Sequence, residues 1–161
     1  MTDFLQSVIA TLRIELRDEF DQNFVRKAFF DQPWTARARD GNTDSLLIGS
    51  GRLRRSIIAR ATPTGLTFEG EVYANIHNNG GKIAITDKMR SYFRYKYIQF
   101  KESDPALAKY YLNMAITKKT HIEIPQRQFI GDHAVVSQVI DEVVADKIKE
   151  IMDYEFTKFN N

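Results

Sequence analysis

Two long stretches of helical periodicity bracket this chain, and they constrain its fold more than any other feature. From residue 3 to about 30, Phe4, Leu5, Val8, Ile9, Leu12, Leu16, Phe20, Phe24 and Ala28 recur at steps of three and four, the spacing that lines one face of an α-helix. Thr2 or Asp3 is the predicted cap. Asp31-Gln32-Pro33 is the predicted end, since a residue before proline avoids the helical region. From 132 to 158, Val135, Val139, Ile140, Val143, Val144, Ile148, Ile151 and Met152 repeat the pattern, with Asp141, Glu142, Lys149 and Glu150 outside it. Asp132, after Gly131, is the predicted cap of this second helix. Amphipathic helices of this length need an apolar surface to pack on.

The segment between them reads as the source of that surface. Residues 33 to 46 are polar and form a predicted loop, with Trp34, the only tryptophan, as its anchor onto the core or, on the rival reading, an anchor facing a partner. Ser50 is the predicted cap of a short helix holding Leu53, Ile57 and Ile58 on one side. Thr62-Pro63-Thr64-Gly65 is a predicted turn between two strands: proline supplies a fixed φ, and glycine tolerates a positive one. Leu66 to Tyr73 alternates apolar and polar residues, the period of an antiparallel strand packed on one face. Lys82 to Thr86 and His121 to Ile124 are further predicted strands. Between them, Asp87 and Asp104-Pro105 mark the starts of two helices, through Phe100 and Ile116. The expectation is an α+β fold: one domain over 1–161, with an antiparallel sheet of about four strands packed against the long N- and C-terminal helices. A helical hairpin over 87–119 is inserted between two of the strands.

At 161 residues there is room for a single domain with a real core. The chain has no cysteine, which excludes disulfides, thiol nucleophiles and thiolate metal sites and fits a protein made in a reducing cytoplasm. Met1-Thr2-Asp3-Phe4 lacks the basic start of a signal peptide, and no run reaches the roughly 20 apolar residues of a membrane helix. Net charge is only +2, but it is unevenly spread. Residues 82–120 hold nine basic side chains against three acidic ones, whereas 121–161 hold four against eight. Such polarity suits head-to-tail packing of identical subunits; contact with nucleic acid through the basic segments is the other reading.

Signals of catalysis are weak. His77, His121 and His133 match no zinc signature. His77, among Asn75, Asn78 and Asn79, reads as part of a polar cluster that fixes a turn, with a general base as the rival reading. Gly80-Gly81 lacks the lysine and hydroxyl that complete a phosphate loop, so it reads as backbone geometry. No cofactor pattern is present. Tyr92-Phe93-Arg94-Tyr95-Lys96-Tyr97-Ile98-Gln99-Phe100 has the composition of a stacking platform for single-stranded nucleic acid, and equally that of a helix packing on a neighbour.

Three segments in order carry a resemblance: Leu46-Leu47-Ile48-Gly49-Ser50-Gly51-Arg52-Leu53-Arg54-Arg55-Ser56-Ile57, Tyr73-Ala74-Asn75-Ile76-His77-Asn78-Asn79-Gly80-Gly81, and Ile124-Pro125-Gln126-Arg127-Gln128-Phe129-Ile130-Gly131. With long helices at both ends, they resemble the virion morphogenesis and tail completion family of tailed phages, over nearly the whole chain. This chain departs in having Asn78-Asn79 after the histidine, where the family often has glutamine and an aromatic residue. It also has Gln126 and Gln128 where alanine and proline are common. The resemblance marks Gly51, Leu53, Arg54, Ser56, Tyr73, His77, Gly80, Gly81, Pro125, Arg127, Phe129 and Gly131 as motif positions and interface candidates. Arg127 beside Phe129 reads either as an interface pair or as an anchor within the chain.

The resemblance implies a structural, non-enzymatic virion protein. It would sit at the neck or upper tail after synthesis in the host bacterial cytoplasm. There it would complete the tail or join tail to head as a ring of identical subunits, a hexamer by family likeness. Partners would be the tail tube or tail terminator protein and the head-closure, connector or portal proteins. DNA contact would fall in the ring lumen, and no membrane is involved. The alternative is a nucleic-acid-binding module using 52–60, with Arg52, Arg54 and Arg55, together with 88–101. A small hydrolase built on His77 is a third reading.

Overall fold

The computed structural model describes residues 2–37 and 46–159. The cap predicted at the Thr2 side chain, and most of the loop predicted over 33 to 46, lie outside the described residues. α1 (Thr2–Arg26) ends before residue 30 because Lys27 turns into the left-handed region, φ 55°. That reversal lets β1 (Ala28–Phe29) pair antiparallel with β2 (Gln32–Pro33), Ala28 opposite Pro33, around a bend at Phe30 with φ 53°. Asn23 holds the bend, its Oδ1 accepting from Phe30 N at 2.9 Å. Two compact units follow. One comprises the chain up to Asn79 and from Gln126 onward; the other is Gly80–Pro125.

In the first unit, α2 (Arg52–Ser56) is shorter than predicted. Ile57 leaves the helix with ψ 114°, and β3 (Ile58–Thr62) begins where a helical face was expected. The β-branched pair Ile57-Ile58 favours that extended path. β3 pairs antiparallel with β4 (Gly65–Glu69), Thr62 opposite Gly65, so the predicted turn is a two-residue loop of Pro63 and Thr64. β4 stops at Glu69 instead of running to Tyr73. Glu71 N is taken by Ser56 Oγ at 3.1 Å, Val72 is 98% exposed, and the chain enters α3 (Ala74–Asn79). The Tyr73–Gly81 segment is therefore mainly a helical turn rather than a tight loop. α6 (Ala134–Phe159) closes the unit. Its start is held by His133 and not by Asp132: His133 Nδ1 accepts from Val135 N at 3.2 Å, and its carbonyl accepts from Val136 N at 3.0 Å.

The first core joins Val8, Leu12, Leu16 and Phe20 of α1 to Phe29 and Val143, with Leu66 and Phe68 of β4 against them. The second joins Phe24, Trp34, Leu46, Leu53, Ile57 and Phe129. Each such side chain contributes about 1.5–3 kcal/mol by leaving water.

The second unit holds β5 (Gly81–Ala84), α4 (Asp87–Phe100), α5 (Pro105–Ile116) and β6 (His121–Ile124). β5 and β6 pair antiparallel, Gly81 opposite Ile124. Thr86 caps α4 by accepting from Met89 N at 3.2 Å, in place of the predicted Asp87; Asp104 caps α5 as predicted, with Pro105 in its first turn. Arg90 of α4 donates to the carbonyls of Ala115, Thr117 and Lys119, where a helix end leaves acceptors unused. Ala108 and Ala115 are the small buried residues that let the two helices approach.

The architecture is thus α+β, but the four-stranded sheet is absent among the described residues. The strands form three separate antiparallel pairs. β4 ends at Glu69, where the chain turns away and Ser56 Oγ takes the amide of Glu71, and β5 and β6 pair only with each other among the described residues.

Candidate functional site

α3 and the segment 127–130 form a polar cluster in the first unit. Residues 125–129 belong to no strand or helix, so their buried backbone groups need other partners. They find them one by one. Arg127 N donates to His77 O at 2.8 Å. Asn78 Oδ1 accepts from Phe129 N at 2.9 Å and Ile130 N at 3.0 Å, while Asn78 Nδ2 donates to Ile130 O at 3.0 Å. Trp34 Nε1 donates to Gln128 O at 2.6 Å, and Asn23 Nδ2 to Phe129 O at 3.2 Å. Three side chains far apart in sequence thus replace a β-ladder for this strip of backbone.

The strip is an internal staple. Phe129 is 1% exposed and packs on Phe24, ring centroids 5.0 Å apart; Phe24 in turn meets Trp34 edge-on at 5.7 Å. Arg127 is 9% exposed, and its Nε and Nη2 donate to the carbonyls of Thr35 and Ala36 at 2.9 and 3.4 Å. Burial, reinforced by the charge of Arg37, holds its guanidinium below its ordinary pKa. Both side chains are enclosed within their own chain.

The first motif surrounds the same core. Gly51 precedes α2 with φ 71°, a conformation costly for other residues, and a Cβ there would meet the Arg55 guanidinium. Leu53 is buried beside Phe129 in the second core. Arg54 grips Asp21 of α1 with two bonds, Nε to Oδ1 at 2.6 Å and Nη2 to Oδ2 at 2.5 Å, the fork geometry arginine makes with carboxylates. This pairing holds the Asp21 carboxyl below its ordinary value of 3.8. Ser56 Oγ donates to Leu53 O at 2.7 Å while accepting from Glu71 N, joining the end of α2 to the exit of β4.

Gly80 and Gly81 follow α3 at φ 71° and 154°, so this pair does serve backbone geometry. Pro125 is exposed and directly precedes the strip, and a Cβ on Gly131 would collide with Gln128 Nε2. Tyr73 meets the His77 ring edge-on at 6.0 Å. Burial, then the charge of Arg127, lowers the His77 pKa, and its Nδ1 has no hydrogen-bond partner among the described residues. His77 borders a cleft of about 300 Å³ with Arg37, Ser50, Arg52, Leu53, Tyr73 and Arg127. No carboxylate lines that cleft among the described residues.

Leu53, Arg54, Ser56, Arg127 and Phe129 among the motif positions thus serve contacts within the chain, with Asn23 and Asp21 as the polar residues that sequence reasoning missed and Asn78 named there only for a local turn. Asn23 carried one signal: an amide beside Phe20 and Phe24 on the apolar face of α1. Comparison with curated proteins and with solved structures returns no match. The profile of the phage virion morphogenesis family matches residues 5–149, from α1 into α6 and across all three motifs. This chain belongs to the phage virion morphogenesis family.

Proposed function

We propose that this chain is a structural virion protein that completes the phage tail or joins it to the head, acting as a ring of identical subunits. The family match across 5–149 carries the reading, because it points to particle assembly rather than catalysis. The site supports it: Leu53, Arg54, Ser56, Arg127 and Phe129 of the motifs hold the fold of their own chain together. The partners are then the tail tube or terminator protein on one side and the connector, head-closure or portal proteins on the other. A hexamer is the expected ring.

The structure weakens the rival nucleic-acid reading at one of its two segments. Arg52 pairs with Glu71, Arg54 with Asp21 and Arg60 with Glu69, so much of the 52–60 charge is neutralised within the chain. α4 keeps exposed Tyr92 and Tyr95, with Lys96 near both rings at 5.8 and 5.9 Å. A phage lacking this gene should yield filled heads and tails that fail to join, or tails without a finished upper end, by electron microscopy. Supplying the chain in trans should restore plaques. Normal particles from the deleted phage would sink the assembly role, and steeply salt-dependent DNA binding by a monomer would favour the rival.

A further inference from the structure

α6 packs one apolar face within its own chain, and only over its first half. At about 100° per residue, Val136, Val139 and Val143 share one side and pack into the first core. Ile148, Met152, Phe156 and Phe159 lie on the opposite side by the same count, and all four are exposed, Phe156 by 65% and Phe159 by 88%. Scaled from ordinary side-chain areas, the stripe presents on the order of 500 Å², the size of the largest apolar patch on a typical monomer, a patch that is often functional.

A matching hollow lies on the same unit. Ile9, Leu12, Leu16, Leu66, Val136 and Ile140 line an apolar groove of about 330 Å³ between α1, β4 and the start of α6. The stripe cannot fill its own groove. Both belong to one unbroken helix: Ile140 lines the groove, and Phe159 lies about 28 Å farther along the axis at 1.5 Å per residue.

We propose that the distal half of α6, through Met152, Phe156 and Phe159, seats in the Ile9–Leu66–Ile140 groove of a second copy of this chain. The contact joins two different surfaces, so it propagates head to tail and closes into a ring when the rotation allows. It rests on the ring reading above and supplies the surfaces for it.

The test uses the full chain in three forms: wild type, Phe156→Glu/Phe159→Glu, and Ile140→Glu. All three positions are exposed, so thermal unfolding should change little. Sedimentation velocity should show wild type assembling, and each variant alone associating at least tenfold more weakly. A mixture of the two variants should form a dimer and stop, because together they hold one intact stripe and one intact groove. An assembled Phe156→Glu/Phe159→Glu variant, or a mixture that fails to pair, would overturn this contact while leaving the ring reading standing. So would normal assembly of that variant with loss of binding to another virion protein, since the occupant would then be that protein. A wild-type chain that stays monomeric would overturn both.

Discussion

The Arg127–Ile130 strip and the α4–α5 hairpin are both rich in aromatic and polar side chains, and they use them in opposite ways. In the strip, Phe129 is buried, the Arg127 guanidinium binds carbonyls, and backbone groups of Arg127 to Ile130 are partnered by His77 O and by side chains of Asn78, Trp34 and Asn23. In the hairpin, Phe93 and Phe100 stack on Tyr111, but Tyr92, Tyr95 and Ile98 stay exposed. The contrast separates what builds the fold from what the fold leaves at its surface. A strip without a β-ladder must be satisfied internally or it would not stay buried. A two-helix hairpin with small residues at its centre closes itself and leaves its outer aromatics unspent.

The comparison breaks most readily at Phe129. Truncation to alanine removes a ring from the centre of the second core and should cost about 3–5 kcal/mol, read as a lowered urea midpoint at unchanged m-value. Asn78→Ala should rank next. It leaves the amides of Phe129 and Ile130 without their acceptor, at about 1–3 kcal/mol for each unsatisfied group. Asn78→Asp keeps the acceptor oxygen and should lose less. If both substitutions cost the same, the amide-by-amide account of the strip is wrong.

The Arg54–Asp21 fork should come third, because both groups are about a third exposed and solvent screens them. Arg54→Gln should cost about 1 kcal/mol or less at neutral pH. Asp21 has a depressed pKa in the folded chain. Its contribution is therefore full above the ordinary value of 3.8 and fades as pH falls through the lower folded value. The gap between wild type and Arg54→Gln should narrow on that acid limb. A gap that stays constant with pH would mean that packing of the arginine stem, not its charge, stabilises the contact.

Legibility in the sequence follows the same division. Elements set by local chemistry were readable: the periodicity of α1 and α6, the Pro63-Thr64 turn, and the Asp104-Pro105 start of α5. What escaped depended on distant partners. The turn at Pro63-Thr64 implies a strand before it, but Ile58 reads as the end of a helix face, and where β3 begins is set by pairing with β4. The end of α1 was placed late because Lys27 and Phe30 adopt left-handed backbone that glycine usually marks. Asn78 stood inside a recognised motif, yet nothing local showed that its amide would serve residues more than fifty positions later.

The smallest stability effect should come from the hairpin, and it is the sharpest test of the contrast. Tyr95→Ser and Ile98→Ser remove large apolar groups already in water, 56% and 62% exposed. Surface changes of this kind usually shift stability within about 0.5 kcal/mol. If the outer face of α4 meets another virion component, as the assembly reading requires of some exposed face, the double variant should fold normally and still lower phage titre. A strip variant such as Asn78→Ala should lose titre only in proportion to its lost stability, and growth at lower temperature should recover it. Titre lost in the hairpin variant at every temperature, beside a cold-rescued strip variant, would assign the hairpin to contact and the strip to construction. Full titre in the Tyr95→Ser/Ile98→Ser phage would remove this face of α4 from the assembly and leave the distal half of α6 to carry it.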